Sequence, residues 1–129
     1  MRVNEITEQV IGAAIEVHRQ LGPGLLESAY EECLARELAL RGVPSERQKT
    51  VPLTYKGVAI DVGFRTDLTV AGQVLVELKA VGSLQPIHEA QMLTYLKLAG
   101  VRTGLLINFN VKLLTDGIRR LVVGPASGD

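Results

Sequence analysis

Two successive strand-like segments in the middle of the chain constrain the fold most, because the hydrophobic pattern changes between them. Apolar and polar residues alternate through Val58–Val70, as expected for a strand with one buried face. After a turn at Ala71 and Gly72, residues 74–81 are nearly all apolar, which is typical of a strand covered on both faces. Only Glu77 and Lys79 interrupt that run. Burial of unpartnered charges is costly, so this pair needs a partner or a function.

The length of the intervening loop decides whether Asp67 and Glu77 meet. A three-residue loop, 71–73, places Asp67 directly opposite Glu77, at a cross-strand separation of about 5 Å. A two-residue loop would place Asp67 opposite Val76 instead. Two adjacent carboxylates repel each other unless a proton or a cation lies between them. The three-residue register therefore predicts a cation site on this pair of strands.

Composition bounds the class of protein. The chain has 129 residues, 47% of them hydrophobic, and no net charge, which is enough for one domain with a real core, predicted over residues 1–123. The single Cys33 excludes an internal disulfide and fits a reducing compartment. Since no signal segment or membrane-spanning run is visible, a cytoplasmic protein without a membrane partner is expected. The last residues, 124–129, are predicted to be a flexible tail.

The first predicted helix covers residues 4–20, with Asn4 as its N-cap. Its buried stripe is predicted to contain Ile6, Val10, Ala13, Ala14, Val17 and Leu21, widened by Ile11 and Ile15. His18 lies beside this stripe, where a half-buried histidine is favoured by the helix dipole. A functional role for His18 stays open as the alternative.

A second helix is predicted over residues 25–40, after the break at residues 21–24 and before a C-cap at Gly42. Its predicted buried residues are Leu26, Ala29, Cys33, Leu34 and Leu38. Glu27, Tyr30 and Glu31 share one face of this helix. Physical chemistry alone favours Glu27 as an acid that complements the helix N-terminus.

The remaining elements complete an α/β pattern. Strands are predicted at 49–55, 103–108 and 118–123, and a third helix begins at Pro86 and ends at Gly100. On this helix Gln91 and Tyr95 share a face, with His88 one turn earlier. The crossover through this helix is long enough to make its flanking strands parallel. The sequence therefore predicts a three-layer α/β sandwich around a central mixed β-sheet.

An acid at the end of one strand followed by Glu-x-Lys in the next resembles the PD-(D/E)XK nuclease superfamily, with Asp67, Glu77 and Lys79 as the triplet. Gly24-Leu-Leu-Glu27-Ser-Ala-Tyr30 matches the GxxExxY signature of a family of small bacterial and archaeal proteins assigned to that superfamily. Further words that resemble this family begin at His18, Val76, His88 and Leu106. The resemblance covers about residues 5–123 and implies a restriction-endonuclease-like core.

The resemblance also implies roles for individual residues. Asp67 and Glu77 would hold Mg2+ or Mn2+, helped by the carbonyl of Leu78, and Glu27 stands where the superfamily often places a further acid. Lys79 would activate the attacking water or stabilise the reacting phosphate. The pair Gln91 and Tyr95 is similar to the Q-x3-Y element of RecB-like exonucleases, which orients the site and its substrate.

Three functions remain open at this stage. The first is a metal-dependent deoxyribonuclease that cleaves DNA, alone, as a homodimer or with a protein partner. The second is a catalytically silent nuclease-like fold that binds nucleic acid or protein, which the neutral charge and the aromatic content of 4% favour. The third treats Glu77 and Lys79 as a buried ion pair without a ligand. A phosphate-facing patch would draw on Arg47, Lys49, Arg65, Lys97, Arg102, Arg119 and Arg120.

Overall fold

The computed structural model describes residues 1–124, apart from the side chains of residues 61 and 62. Its elements, in chain order, are α1 (Val3–Leu21), α2 (Glu27–Leu40), β1 (Ser45–Tyr55), β2 (Val58–Val70), β3 (Val74–Lys79), α3 (Pro86–Ala99), β4 (Thr103–Asn108), a short 3-10 helix (Leu114–Gly117) and β5 (Ile118–Val122). This is the predicted order. The predicted tail, 124–129, lies outside the described residues except for Gly124. None of the described helices is long and apolar enough to cross a membrane.

The strands form one five-stranded mixed sheet in the order β1-β2-β3-β4-β5. Strands β3 and β4 are parallel and are joined through α3, as predicted, whereas the other neighbours are antiparallel. Helices α1 and α2 cover one face, where Leu34 belongs to the same buried cluster as Val76 and Leu78. Helix α3 covers the other face by packing Met92 against Leu75. The predicted three-layer α/β sandwich is confirmed.

The start of α1 differs from the prediction. Arg2, not Asn4, is the N-cap, and its backbone N–H donates to the Glu5 carboxylate (3.2 Å). This contact satisfies one of the amides that a helix N-terminus leaves without an intrahelical partner. Asn4 lies within the helix and accepts a hydrogen bond from Arg120 of β5 (2.9 Å). Asn4 therefore ties α1 to β5 instead of capping it.

The buried stripes of the two helices are narrower than predicted. Residues predicted to be buried but found exposed are Ile15, Leu21 and Leu26. Leu26 is 78% exposed because it precedes α2 as an extended N-cap residue, so the helix begins at Glu27, two residues later than predicted. Five residues of the α1 stripe are buried as predicted: Ile6, Val10, Ala13, Ala14 and Val17.

Candidate functional site

The register of β2 and β3 confirms the three-residue loop. Val70 pairs with Val74 and Leu68 with Val76, so Asp67 falls opposite Glu77. The backbone ladder stops at this point, and the acid side chains replace it. The Asp67 N–H donates to Glu77 Oε1 (3.1 Å), and the Leu78 N–H donates to Asp67 Oδ2 (2.8 Å). The two strands therefore separate into a fork whose apex holds both carboxylates.

Strand β2 changes faces at this fork. Leu68 and Val70 pack into the core under α1 and α2, whereas Phe64 stacks on Tyr95 of α3, with ring centroids 3.8 Å apart. In a regular strand these even-numbered residues would all point to one face. The sequence prediction of a single face for them is therefore wrong. The irregularity belongs to the β1–β2 register, whose pairs flank Gln48 and Asp67 without including them.

Burial and mutual repulsion perturb both carboxylates of the fork. Glu77 is 8% exposed, and burial raises its pKa to about 8, with a further contribution from the charge of Asp67 and an opposing one from Lys79. The pKa of Asp67 is also raised, first by burial and then by the charges of Glu31 and Glu27. A site with this excess of negative charge favours the uptake of a proton or a cation.

The end of β3, which carries Lys79, is anchored by Asn108, a residue that the sequence did not single out. Asn108 is 1% exposed. Its side chain accepts the Val81 N–H (3.1 Å) and donates to the Val81 carbonyl (3.0 Å). The Phe109 N–H donates to the Lys79 carbonyl (2.9 Å). Lys79 itself is half-buried and lies two residues after Glu77, hence on the same strand face.

Helix α2 brings two acids towards the fork, and only one of them had been assigned a role. Glu27 is exposed at the first residue of the helix, yet its charge contributes to the raised pKa of Asp67. Glu31 is 7% exposed and accepts hydrogen bonds from Arg47 (3.0 Å) and Gln48 (2.7 Å). Its position four residues after Glu27 is the sequence signal that could have identified it.

The Gly24-to-Tyr30 motif has a clear structural basis. The Tyr30 hydroxyl donates to the Gly22 carbonyl (2.6 Å) and accepts the Leu25 N–H (3.1 Å). Between these contacts Gly24 has φ +100°, a conformation that L-residues rarely adopt. Tyr30 thus fixes the loop that precedes α2, and thereby the position of Glu27 at the helix start.

His18 is buried and lies away from the carboxylates of the fork in its contacts. Its Nε2 is 2.8 Å from the Val111 carbonyl, and because a carbonyl only accepts, the imidazole N–H is the donor. The ring also lies 6.3 Å from that of Phe109, on which Tyr30 stacks at 4.4 Å. These contacts connect α1 to the segment after β4 and describe a structural histidine.

On α3, Tyr95 is the predicted residue that senses the fork. Its pKa is raised first by burial and then by the charges of Glu77 and Asp67. Gln91 is exposed one helical turn earlier. The structure therefore places the predicted pair on the layer opposite α2, with Tyr95 on the carboxylate side.

The predicted basic residues do not form a single patch. Arg47 belongs to β1, at one edge of the sheet, and forms ion pairs with Glu31 and Glu32. Arg119 and Arg120 belong to β5 at the opposite edge. The separation by the width of the sheet excludes one continuous phosphate-binding surface made of all seven.

The donor atoms at the fork suit a hard cation. In residues 1–124 no group of three or more His, Cys, Asp or Glu side chains converges as a metal site. The fork offers Asp67, Glu77 and the carbonyl of Leu78, which points to the same side as the Leu78 N–H because the two alternate together along a strand. Mg2+ binds to one or two carboxylates and keeps several waters. This set of oxygen donors therefore fits Mg2+ or Mn2+.

Comparison with known proteins gives one finding. The model of the PD-(D/E)XK nuclease superfamily matches the chain over residues 4–121. No curated protein and no solved structure gives a significant match. The matched region contains both strands of the fork, the three helices and the residues that the sequence assigned to the site.

Proposed function

We propose that this chain, which belongs to the PD-(D/E)XK nuclease superfamily, hydrolyses DNA phosphodiester bonds with a divalent cation held between β2 and β3. Membership of the superfamily indicates nuclease activity and nucleic-acid binding. The choice of DNA, the use of Mg2+ or Mn2+ and catalysis itself are our proposal. One observation carries it: Asp67 and Glu77 lie opposite each other at a fork, and each accepts a backbone N–H with one oxygen.

The proposed site assigns a task to each group. Asp67, Glu77 and the Leu78 carbonyl would hold the cation, which when bound polarises the phosphate and lowers the pKa of water. Lys79, on the same strand face as Glu77, would stabilise the negative charge that develops on the phosphate in the transition state. Tyr95 would approach the same site from α3, where the charges of Glu77 and Asp67 already affect it.

The finer assignment to the GxxExxY family and to RecB-like exonucleases is part of the proposal. Two observations support it. Gly24 and Tyr30 shape one loop that sets the start of α2, where Glu27 lies. Gln91 and Tyr95 lie four residues apart on α3. In this proposal Glu27 is a further acid near the cation, and Gln91 contacts the substrate.

The first test is calorimetric titration of the protein with Mn2+, beside the variants Asp67→Asn and Asp116→Asn. Asp67→Asn preserves the size of the side chain and should weaken Mn2+ binding at least tenfold because a carboxylate ligand is lost. Asp116 is exposed in the short 3-10 helix near β5, so its variant is a matched control. Wild-type protein that binds no Mn2+ would contradict the proposed site.

The second test is cleavage of supercoiled plasmid and of labelled single- and double-stranded oligonucleotides in Mg2+ or Mn2+. Cleavage that disappears with chelator and in the Asp67→Asn variant is expected. Saturable metal binding without cleavage of any of these substrates would favour the silent nucleic-acid or protein-binding module instead.

A further inference from the structure

We propose that Gln48 is a positioning residue that connects Glu31 to Asp67 and thereby holds the Asp67 carboxylate in the orientation used for the cation. The inference rests on the proposed function for its consequence, but its structural part concerns the protein without metal. Neither Gln48 nor Glu31 belongs to the site residues expected from the sequence. Both are identified by their contacts.

The backbone of Gln48 provides the first argument. Among described residues, three that are not glycine have a positive φ: Gln48, Lys56 and Ala71. Lys56 and Ala71 lie in the turns that join β1 to β2 and β2 to β3, where left-handed residues are ordinary. Gln48, with φ +53°, lies inside β1. Such a conformation within a strand persists only where surrounding contacts impose it, and it concentrates at functional sites.

The side chain of Gln48 provides the second argument. Its amide nitrogen lies 2.7 Å from Glu31 Oε1 and 3.4 Å from Asp67 Oδ1. An amide group has two N–H donors, so one group serves both carboxylates. The left-handed backbone makes this possible, because it interrupts the alternation of β1 opposite Asp67, where the register skips both residues.

Glu31 is held as a fixed anchor for this connection. It is 7% exposed, and its second oxygen, Oε2, accepts from Arg47 Nε at 3.0 Å. Arg47 and Gln48 thus occupy both oxygens of Glu31. With Asp67 Oδ2 already bound to the Leu78 N–H, the Gln48 contact at Oδ1 fixes the remaining rotation of the Asp67 carboxylate.

The test uses Gln48→Gly, because glycine accepts a positive φ and lacks the amide. The variant should be at least as stable as the wild type in urea unfolding, while its Mn2+ affinity should fall by about tenfold, as for other groups that orient a metal ligand. Lys56→Gly is the matched control, since it relieves a left-handed residue in a turn and should leave Mn2+ affinity unchanged. Gln48→Asn tolerates the backbone but is one methylene too short to span both acids, and should behave like Gln48→Gly.

A double-mutant cycle separates this inference from the proposed function. Gln48→Gly, Asp67→Asn and the double variant are unfolded in urea at pH 8 with chelator. The unfolding equilibrium constant of the double variant should differ at least about threefold from the product of the single effects. Multiplicative effects would overturn the connection, as would unchanged Mn2+ affinity in Gln48→Gly. If the wild type binds no Mn2+ but the cycle shows coupling, only the proposed metal function fails.

Discussion

Replacement of Glu77 by Gln should stabilise the metal-free protein at neutral pH. Glu77 is buried, and the Asp67 N–H donates to its Oε1. Hydrogen bonding to Asp67 favours the protonated form of Glu77 and contributes to its raised pKa, after burial and the charge of Asp67. Glutamine imitates that protonated form, since its carbonyl oxygen can accept the Asp67 N–H and its amide can donate to the Asp67 carboxylate.

The magnitude follows from the pKa of Glu77, which is about 8 in the folded protein and ordinarily 4.5. A raised pKa means that the folded state binds the proton more tightly, so the contribution of Glu77 to stability is complete below pH 4.5 and is lost as the pH rises through 8. Each pH unit in this interval costs about 1.4 kcal/mol. The Gln variant should therefore exceed the wild type in stability by under about 1 kcal/mol at pH 5 and by about 3 kcal/mol at pH 7.

The assay is urea unfolding followed by far-UV circular dichroism at pH 5, 6, 7 and 8 in the presence of chelator. Glu8→Gln is the control, because Glu8 is exposed on α1 and its substitution should change stability by less than about 0.5 kcal/mol at every pH. A stability difference between Glu77→Gln and the wild type that does not grow with pH would refute the reasoning. A variant less stable than the wild type at pH 7 would refute it as well.

Three further substitutions test other parts of the site. Lys79→Ala should preserve Mn2+ affinity within about threefold and lower kcat by about 100-fold or more, as for the loss of a transition-state donor; normal turnover would remove Lys79 from the mechanism. Tyr30→Phe should destabilise the protein by about 1–2 kcal/mol in urea unfolding, because the Gly22 carbonyl and the Leu25 N–H lose their partner; an unchanged midpoint would show that the hydroxyl does not hold the loop. Asn108→Ala should cost about 2–3 kcal/mol, because it leaves the buried polar groups of Val81 without their partner, whereas an unaffected stability would exclude Asn108 as the anchor of β3.

Much of the fold could be predicted because periodicity is a local property. The alternation in β2, the apolar run of β3 and the Pro86 and Gly100 boundaries of α3 each depend on residues within one element. Errors occurred at element ends. Asn4 has the side chain of a typical N-cap, but the contacts of Arg2 and Arg120 decide the actual start of α1.

The sequence by itself determined the pairing of Asp67 with Glu77, because the pattern and the loop length fix the register of adjacent strands. Tertiary structure decided the surroundings of that pair. Gln48 meets Glu31 across 17 positions, and Asn108 meets Val81 across 27. Such contacts leave no periodic signal, because they arise only when separate elements pack together. The change of face at Asp67 has the same origin, since a single left-handed residue on the neighbouring strand alters an alternation that the residues of β2 alone would continue.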